Sequence, residues 1–147
     1  MLIGIDSRMT PPLLHCLARM GHGDEIVVAD ANFPSASIAS HCTLSEAIHL
    51  PGLDGPAAID IITSLMPLDS FTDYSALRMQ IDGAPEEMGE IHTAGWEVLT
   101  PRLPENGRLS SIERQDFYAQ ARRAFAVVQT AETRPYGCFI LRKGVVF

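Results

Sequence analysis

Four side chains, well separated along the chain, have the types needed for acid–base chemistry on a small polar molecule. His22 sits between two glycines in Gly21-His-Gly23. An imidazole on such a turn has little to bury it, and its unperturbed pKa of about 6.5 suits proton transfer near neutrality. The same position, just beyond a helix, is also where a histidine only complements the helix dipole. Asp30 ends the apolar run Ile26-Val-Val-Ala29. A carboxylate there either caps its own turn or accepts hydrogen bonds from hydroxyls. Arg114 precedes a helix-like stretch, as a solvated charge or as a fixed planar donor aimed at oxygen atoms. Tyr136, in Arg134-Pro-Tyr-Gly137, packs, stacks on a ligand or donates through its hydroxyl. Spacing alone leaves each pair of readings open. Asp24 and Glu25 lie nearest to His22 in sequence; either can orient its ring, although a solvated turn is the expectation for both.

Other constellations fail. Gly21-x-Gly23 lacks a third glycine and follows a helix rather than a strand, so it is no dinucleotide fingerprint, and there is no Walker-type loop. His15, His41, His49 and His92 show no metal-ligand spacing. The three cysteines, Cys16, Cys42 and Cys138, are an odd count without a C-x-x-C pair, so neither a disulfide framework nor a zinc knuckle is implied. The residues point to a polar site that needs neither metal nor cofactor.

The elements that must position these residues alternate between helix and strand. Thr10 caps a helix over Pro11 to Met20, with Leu13, Leu14, Leu17 and Met20 on one face and Gly21 expected in a left-handed conformation after it. Glu25 to Ala29 reads as a strand covered on both faces, which puts Asp30 at its carboxyl end, the edge where ligands sit in open α/β sheets. Asp30 to Ser35 reads as a loop. Pro56 to Met66 reads as a helix with Ala58, Ile61, Ile62 and Leu65 inward, and Leu77 to Asp82 as a half-buried strand. Residues 85–98 suit a helix interrupted by Gly89 and Gly95, and Pro101, Pro104 and Gly107 mark a loop. Gln115 to Ala124 reads as a helix, with Phe125 to Thr130 and Cys138 to Arg142 as strands. The expectation is a three-layer α/β/α sandwich with a central mixed, mainly parallel sheet, in one domain over residues 1–147.

Composition narrows the partners. The 147 residues carry 11 Lys and Arg against 18 Asp and Glu, a formal net charge of −7. Nucleic acid is excluded as the main partner, because phosphate neutralisation needs clustered cations. The dibasic pairs Arg122-Arg123 and Arg142-Lys143 are too few for a membrane anchor. Apolar runs such as Ala124 to Val128 fall far short of the roughly 18 residues of a spanning helix. No secretion signal is visible in MLIGIDSRMTPP, and a reduced, cytoplasmic setting is the expectation.

Two blocks of sequence resemble one family. Met20-Gly-His-Gly-Asp-Glu-Ile26 followed by Asp30-Ala-Asn-Phe-Pro34, and later Arg114-x-x-Phe117-Tyr118, Ala124-Phe-Ala-Val-Val128, Tyr136-Gly137 and Lys143-Gly144-Val145, are similar to the RbsD/FucU sugar mutarotases. His22-Gly-Asp and an arginine at position 114 resemble the fucose branch more than the ribose branch. The resemblance implies that His22 is the acid/base residue and that Asp30, Arg114 and the Tyr136, Gly137, Cys138 segment bind a monosaccharide. It also implies a cofactor-independent isomerase in a ring-shaped homo-oligomer, often a decamer, with sites near subunit boundaries. Cys138 stands where the family commonly has Asn, which puts the preferred sugar in question, since a thiol is a weak donor at best. A ribose pyranase and a non-catalytic sugar-binding protein are the rival readings.

Overall fold

The computed structural model describes residues 2–147. Six strands form one mixed sheet: β1 (Glu25–Ala29), β2 (Ile48–Leu50), β3 (Ala76–Met79), β4 (Leu109–Ile112), β5 (Ala126–Thr130) and β6 (Phe139–Arg142), in the order β2-β5-β1-β6-β3-β4. β5 pairs parallel with β1 and β2, and β3 pairs parallel with β4. Only β6 runs against its neighbours, antiparallel to β1 on one side and β3 on the other. Side chains alternate across the sheet as the strand period requires. Ile26, Val28, Ala126, Val128, Phe139 and Leu141 face one core, and Val27, Ala29, Val127, Ile140 and Leu77 the other.

Helices α1 (Pro11–Arg19), α3 (Gly55–Thr63) and α4 (Glu90–Leu99) cover the first face; α2 (Ser35–Ala39) and α5 (Arg114–Ala121) cover the second. The expected three-layer sandwich is therefore present. Three of its helices start where a side chain satisfies free amides: Thr10 accepts from Leu13 N, Asp54 from Ala57 N, and Glu113 from Gln115 N and Asp116 N.

Several local expectations change. The left-handed residue after α1 is Gly23 (φ 85°), not Gly21, because Met20 leaves the helix extended and the chain turns two residues later. Gly23 N then donates to Lys143 O at 2.9 Å. The strand around Leu77 is shorter than expected and buried along its whole length, Arg78 included, since it pairs on both sides. α3 ends at Thr63, which leaves Leu65 partly exposed and makes Ile59 a core residue instead. α5 ends at Ala121, three residues early. Gly89 precedes α4 rather than interrupting it, while Gly95 lies within it against the Phe139 ring. β2, β4 and the short α2 carry too few apolar positions to show a period.

Candidate active site

The parallel strands β1, β3 and β4 all end at one edge of the sheet, and β6, running the other way, begins there. That topology brings Asp30, Asp82, Arg114 and the Tyr136–Cys138 segment together from four separate stretches of sequence. Between them lies a cleft of about 420 Å³ that also touches Tyr118. A larger open groove, about 720 Å³, passes His15, Glu46 and His49, but none of the buried polar residues lines it.

Asp30 is 8% exposed at the cleft floor. Its Oδ1 accepts from Asn32 N at 3.0 Å, and its own amide donates to Cys138 Sγ at 3.4 Å. Oδ2 has no hydrogen-bond partner among the described residues and is free to accept from a ligand. Burial, then the Asp30 charge, pushes the Cys138 thiol well above its usual pKa, so it stays protonated beneath the carboxylate. Arg114 opens α5, and its Nε reaches both oxygens of Asp82 at 3.1 and 2.9 Å. Its guanidinium carbon lies 5.8 Å from the centre of the Tyr118 ring. The carboxyl-edge argument that nominated Asp30 applies equally to Asp82, which sequence reasoning passed over.

Tyr136 is held at φ 58°, a left-handed conformation that costs a non-glycine residue roughly 1–2 kcal/mol. Two braces hold it there. The fully buried His92 donates from Nε2 to Tyr136 O at 3.0 Å while its Nδ1 accepts from Gly89 N. Burial pushes the His92 pKa down, which keeps the ring neutral for this pair of bonds. Glu132, 2% exposed, accepts from the amide and guanidinium of Arg134 and from Gly55 N. Burial alone would raise its pKa, but these donors hold it down at about 2. Glu132 O also accepts from Ala31 N at 2.8 Å, so one residue ties the Asp30 loop to the Tyr136 loop. Gly137 does not line the cleft. A side chain there would meet Glu132 Cγ at 2.8 Å and Arg134 O at 3.0 Å.

His22 lies elsewhere. It precedes β1, whereas Asp30 follows it, and five strand residues at about 3.3 Å each put on the order of 17 Å between the two ends. Within one chain His22 therefore does not reach the cleft. Its imidazole, 47% exposed, places Nε2 2.9 Å from Oδ1 of the fully buried Asp69 and meets Phe71 edge-on at 5.3 Å. Neither Asp24 nor Glu25 orients the ring. Asp24 accepts from Gly21 N, and Glu25 is not solvated but bonded to Tyr74, Gln120 and Arg142. Burial favours protonation of Asp69, but hydrogen bonds from His22, Thr72 and Phe71 N outweigh it and hold its pKa below the ordinary value. Asp69 is 47 residues from His22, and no local pattern marks it.

Known proteins resemble this chain along its whole length. The fucose mutarotase of Homo sapiens is 43% identical over 148 residues, covering 99% of this chain and 94% of that protein. The L-fucose mutarotase of Haemophilus influenzae (strain 86-028NP) is 36% identical over 145 residues, covering 99% and 97%. The solved structure of the Streptococcus pneumoniae fucose mutarotase in complex with L-fucose superposes with a TM-score of 0.88 at 38% identity, covering 99% of this chain and all of that one. The family model described as the RbsD / FucU transport protein family matches residues 3–146. The chain belongs to that family.

Proposed function

We propose that the protein is an L-fucose mutarotase, interconverting the α and β anomers of the free sugar through its open-chain aldehyde. The observation that carries this reading is the cleft: a buried carboxylate with one unpartnered oxygen faces a guanidinium and two phenols. That is a donor and acceptor set for several hydroxyls of one small ring, in a volume ordinary for a small-molecule site. Ring opening takes the proton from the anomeric hydroxyl and gives one to the ring oxygen. The carbonyl then rotates, and closure reverses both transfers. Each transfer needs only a group that both gives and takes protons near neutrality.

In this reading Asp30 and Arg114 hold the hydroxyls, Tyr136 lies against the sugar, and His22 moves the proton. Because His22 cannot reach the cleft of its own chain, the working site takes it from an adjacent copy. Its surroundings support such a contact. Phe71 beside it is 64% exposed, and the tail leaving β6 next to the Gly23 turn ends in Val146 and Phe147, 81% and 107% exposed. Exposed apolar groups of this size are what an interface between copies requires. Cys138, 1% exposed, supports Asp30 from below in place of contacting the sugar through a strong donor.

The test is NMR exchange between L-fucose anomers, measured as the excess over the uncatalysed rate, with D-ribose in parallel. We expect faster exchange for fucose, lost in both His22→Ala and Arg114→Ala and partly restored when the two variants are co-assembled. Turnover unchanged in His22→Ala would remove the acid/base assignment. Enhancement confined to ribose would move the protein to the pyranase reaction, and binding of sugar without any enhancement would make it a sugar-binding protein. Absence of restoration in the mixed assembly would refute the shared site.

A further inference from the structure

We propose that His92 is a positioning residue for the reaction: its hydrogen bond from Nε2 to the Tyr136 carbonyl fixes the strained turn that lays the Tyr136 ring in the cleft, and so sets how tightly the sugar is held. This rests on the reading of the cleft as the fucose site.

The two residues come from opposite sides of the sheet. His92 stands in the first turn of α4, on the face that α1, α3 and α4 cover. Phe33, Met79, Tyr118, Tyr136 and Cys138, which line the cleft, pack into the other core. The bond between His92 and Tyr136 therefore crosses from one layer to the other, and the imidazole lies edge-on to Phe139, the first residue of β6, at 6.3 Å. Its direction is fixed. Gly89 N is a donor, so the Nδ1 it reaches at 3.0 Å carries the lone pair, and the ring hydrogen belongs to Nε2. Nε2 lies 3.0 Å from Tyr136 O, and no other donor among the described residues reaches that oxygen.

The turn needs such a hold. Pro135 followed by a residue at positive φ is the order of a type II turn, whose third position ordinarily takes glycine or asparagine. Tyr136 fills that position at φ 58°. Released from His92, it gains by returning to negative φ, and its ring leaves the cleft. The chain on either side is anchored without His92: Arg134 N donates to Glu132 at 2.9 Å, and Met79 N to Cys138 O at 3.0 Å. Loss of the brace thus frees the turn and leaves the Asp30 floor in place.

A purely structural alternative exists. As the third residue of α4, His92 accepts from the amide of Gly89, which precedes the helix, and this is a capping arrangement. That role accounts for Nδ1 but not for Nε2. A lost cap lowers stability and leaves sugar affinity alone, so the two roles part on KM.

The experiment measures L-fucose anomer exchange in His92→Leu and His92→Gln. Leucine has neither donor nor acceptor, whereas glutamine carries an acceptor for Gly89 N and a donor for Tyr136 O on one planar group. We expect KM in His92→Leu to rise by about tenfold, as the fraction of chains with Tyr136 in place falls, with kcat little changed because saturating sugar selects the competent form. His92→Gln should restore a KM near the native value. An unchanged KM in folded His92→Leu, or one raised equally in His92→Gln, overturns the proposal. Should His92→Leu not fold, the native protein decides. The other four histidines are exposed, so with histidine-selective 15N labelling the ring N–H that persists in D2O is that of His92. Saturating L-fucose should shift its resonance, and an unmoved signal overturns the role. A native protein that does not speed exchange at all removes the mutarotase reading and this role together, while native turnover beside an unchanged KM in His92→Leu removes the role alone.

Discussion

Replacing Glu132 by Gln should cost about 3 kcal/mol of stability and loosen both loops of the cleft. The structure gives that magnitude by two routes. Glu132 is held at a pKa of about 2 against an ordinary 4.5, and each tenfold change in proton affinity is worth about 1.4 kcal/mol. The geometric route counts partners: Gly55 N and the amide and guanidinium of Arg134 lose an ionised acceptor, and the new amide group points a donor at donors. Breaking a buried charge pair costs about 3–5 kcal/mol. The lower end applies, since Arg134 is 29% exposed and retains Glu90 at 3.3 Å and Asp54 at 3.6 Å. The sign with pH follows from the lowered pKa. Below 4.5 the unfolded chain binds a proton that the native glutamate refuses, so the stabilisation is complete above pH 4.5 and lost as pH falls toward 2. Urea unfolding at fixed protein concentration, from pH 7 down to 2.5, measures both effects. The native protein should lose stability across the acid window more steeply than Glu132→Gln. A difference under about 1 kcal/mol at pH 7, or parallel pH curves for the two proteins, would refute the reasoning.

Gly95→Ala puts a methyl carbon 2.6 and 2.7 Å from two ring atoms of the buried Phe139. Overpacking of about 1–3 kcal/mol outweighs the gain of up to about 1 kcal/mol in helix propensity. The melting temperature should fall, and a rise would show that the ring moves freely. Arg114→Lys keeps the charge but loses the Nε donor that reaches both oxygens of Asp82 and the planar guanidinium beside Tyr118. We expect KM for L-fucose to rise by about tenfold, or 1.4 kcal/mol, with kcat little changed, and an unaltered KM would remove Arg114 from binding.

The long elements were legible because burial and period agree in them. Leu13, Leu17 and Met20 at α1, and Ile26 to Ala29 in β1, are buried as their spacing indicates, with Leu14 only half-buried beside them. β4 was not legible: its Leu-Ser-Ser-Ile lies at the sheet edge, partly exposed, where neither alternation nor a continuous apolar run is required. For the cleft, Asp30, Arg114 and Tyr136 were nominated from local context, and the sheet brings all three together. Asp69 and His92 escaped notice for a common reason. Each acts through a partner distant in sequence, 47 residues for Asp69 and His22, 44 for His92 and Tyr136, and only the folded chain sets those distances. The separation of His22 from Asp30 escaped for the opposite reason. Eight positions look close in sequence, yet a strand laid between them is the most extended path available.

β6 begins just after Cys138 of the cleft and ends with Arg142, whose Nε stands 3.5 Å from the Asp69 carboxylate that meets His22, the one strand that visits both ends of the sheet in reverse. Under the proposed reading each chain thus carries two unlike halves and no complete catalyst. Catalysis then becomes a matter of concentration: diluted below the point where copies dissociate, specific activity falls with every further dilution, although each chain stays folded. Such a protein is regulated, without any effector, by how much of it the cell makes.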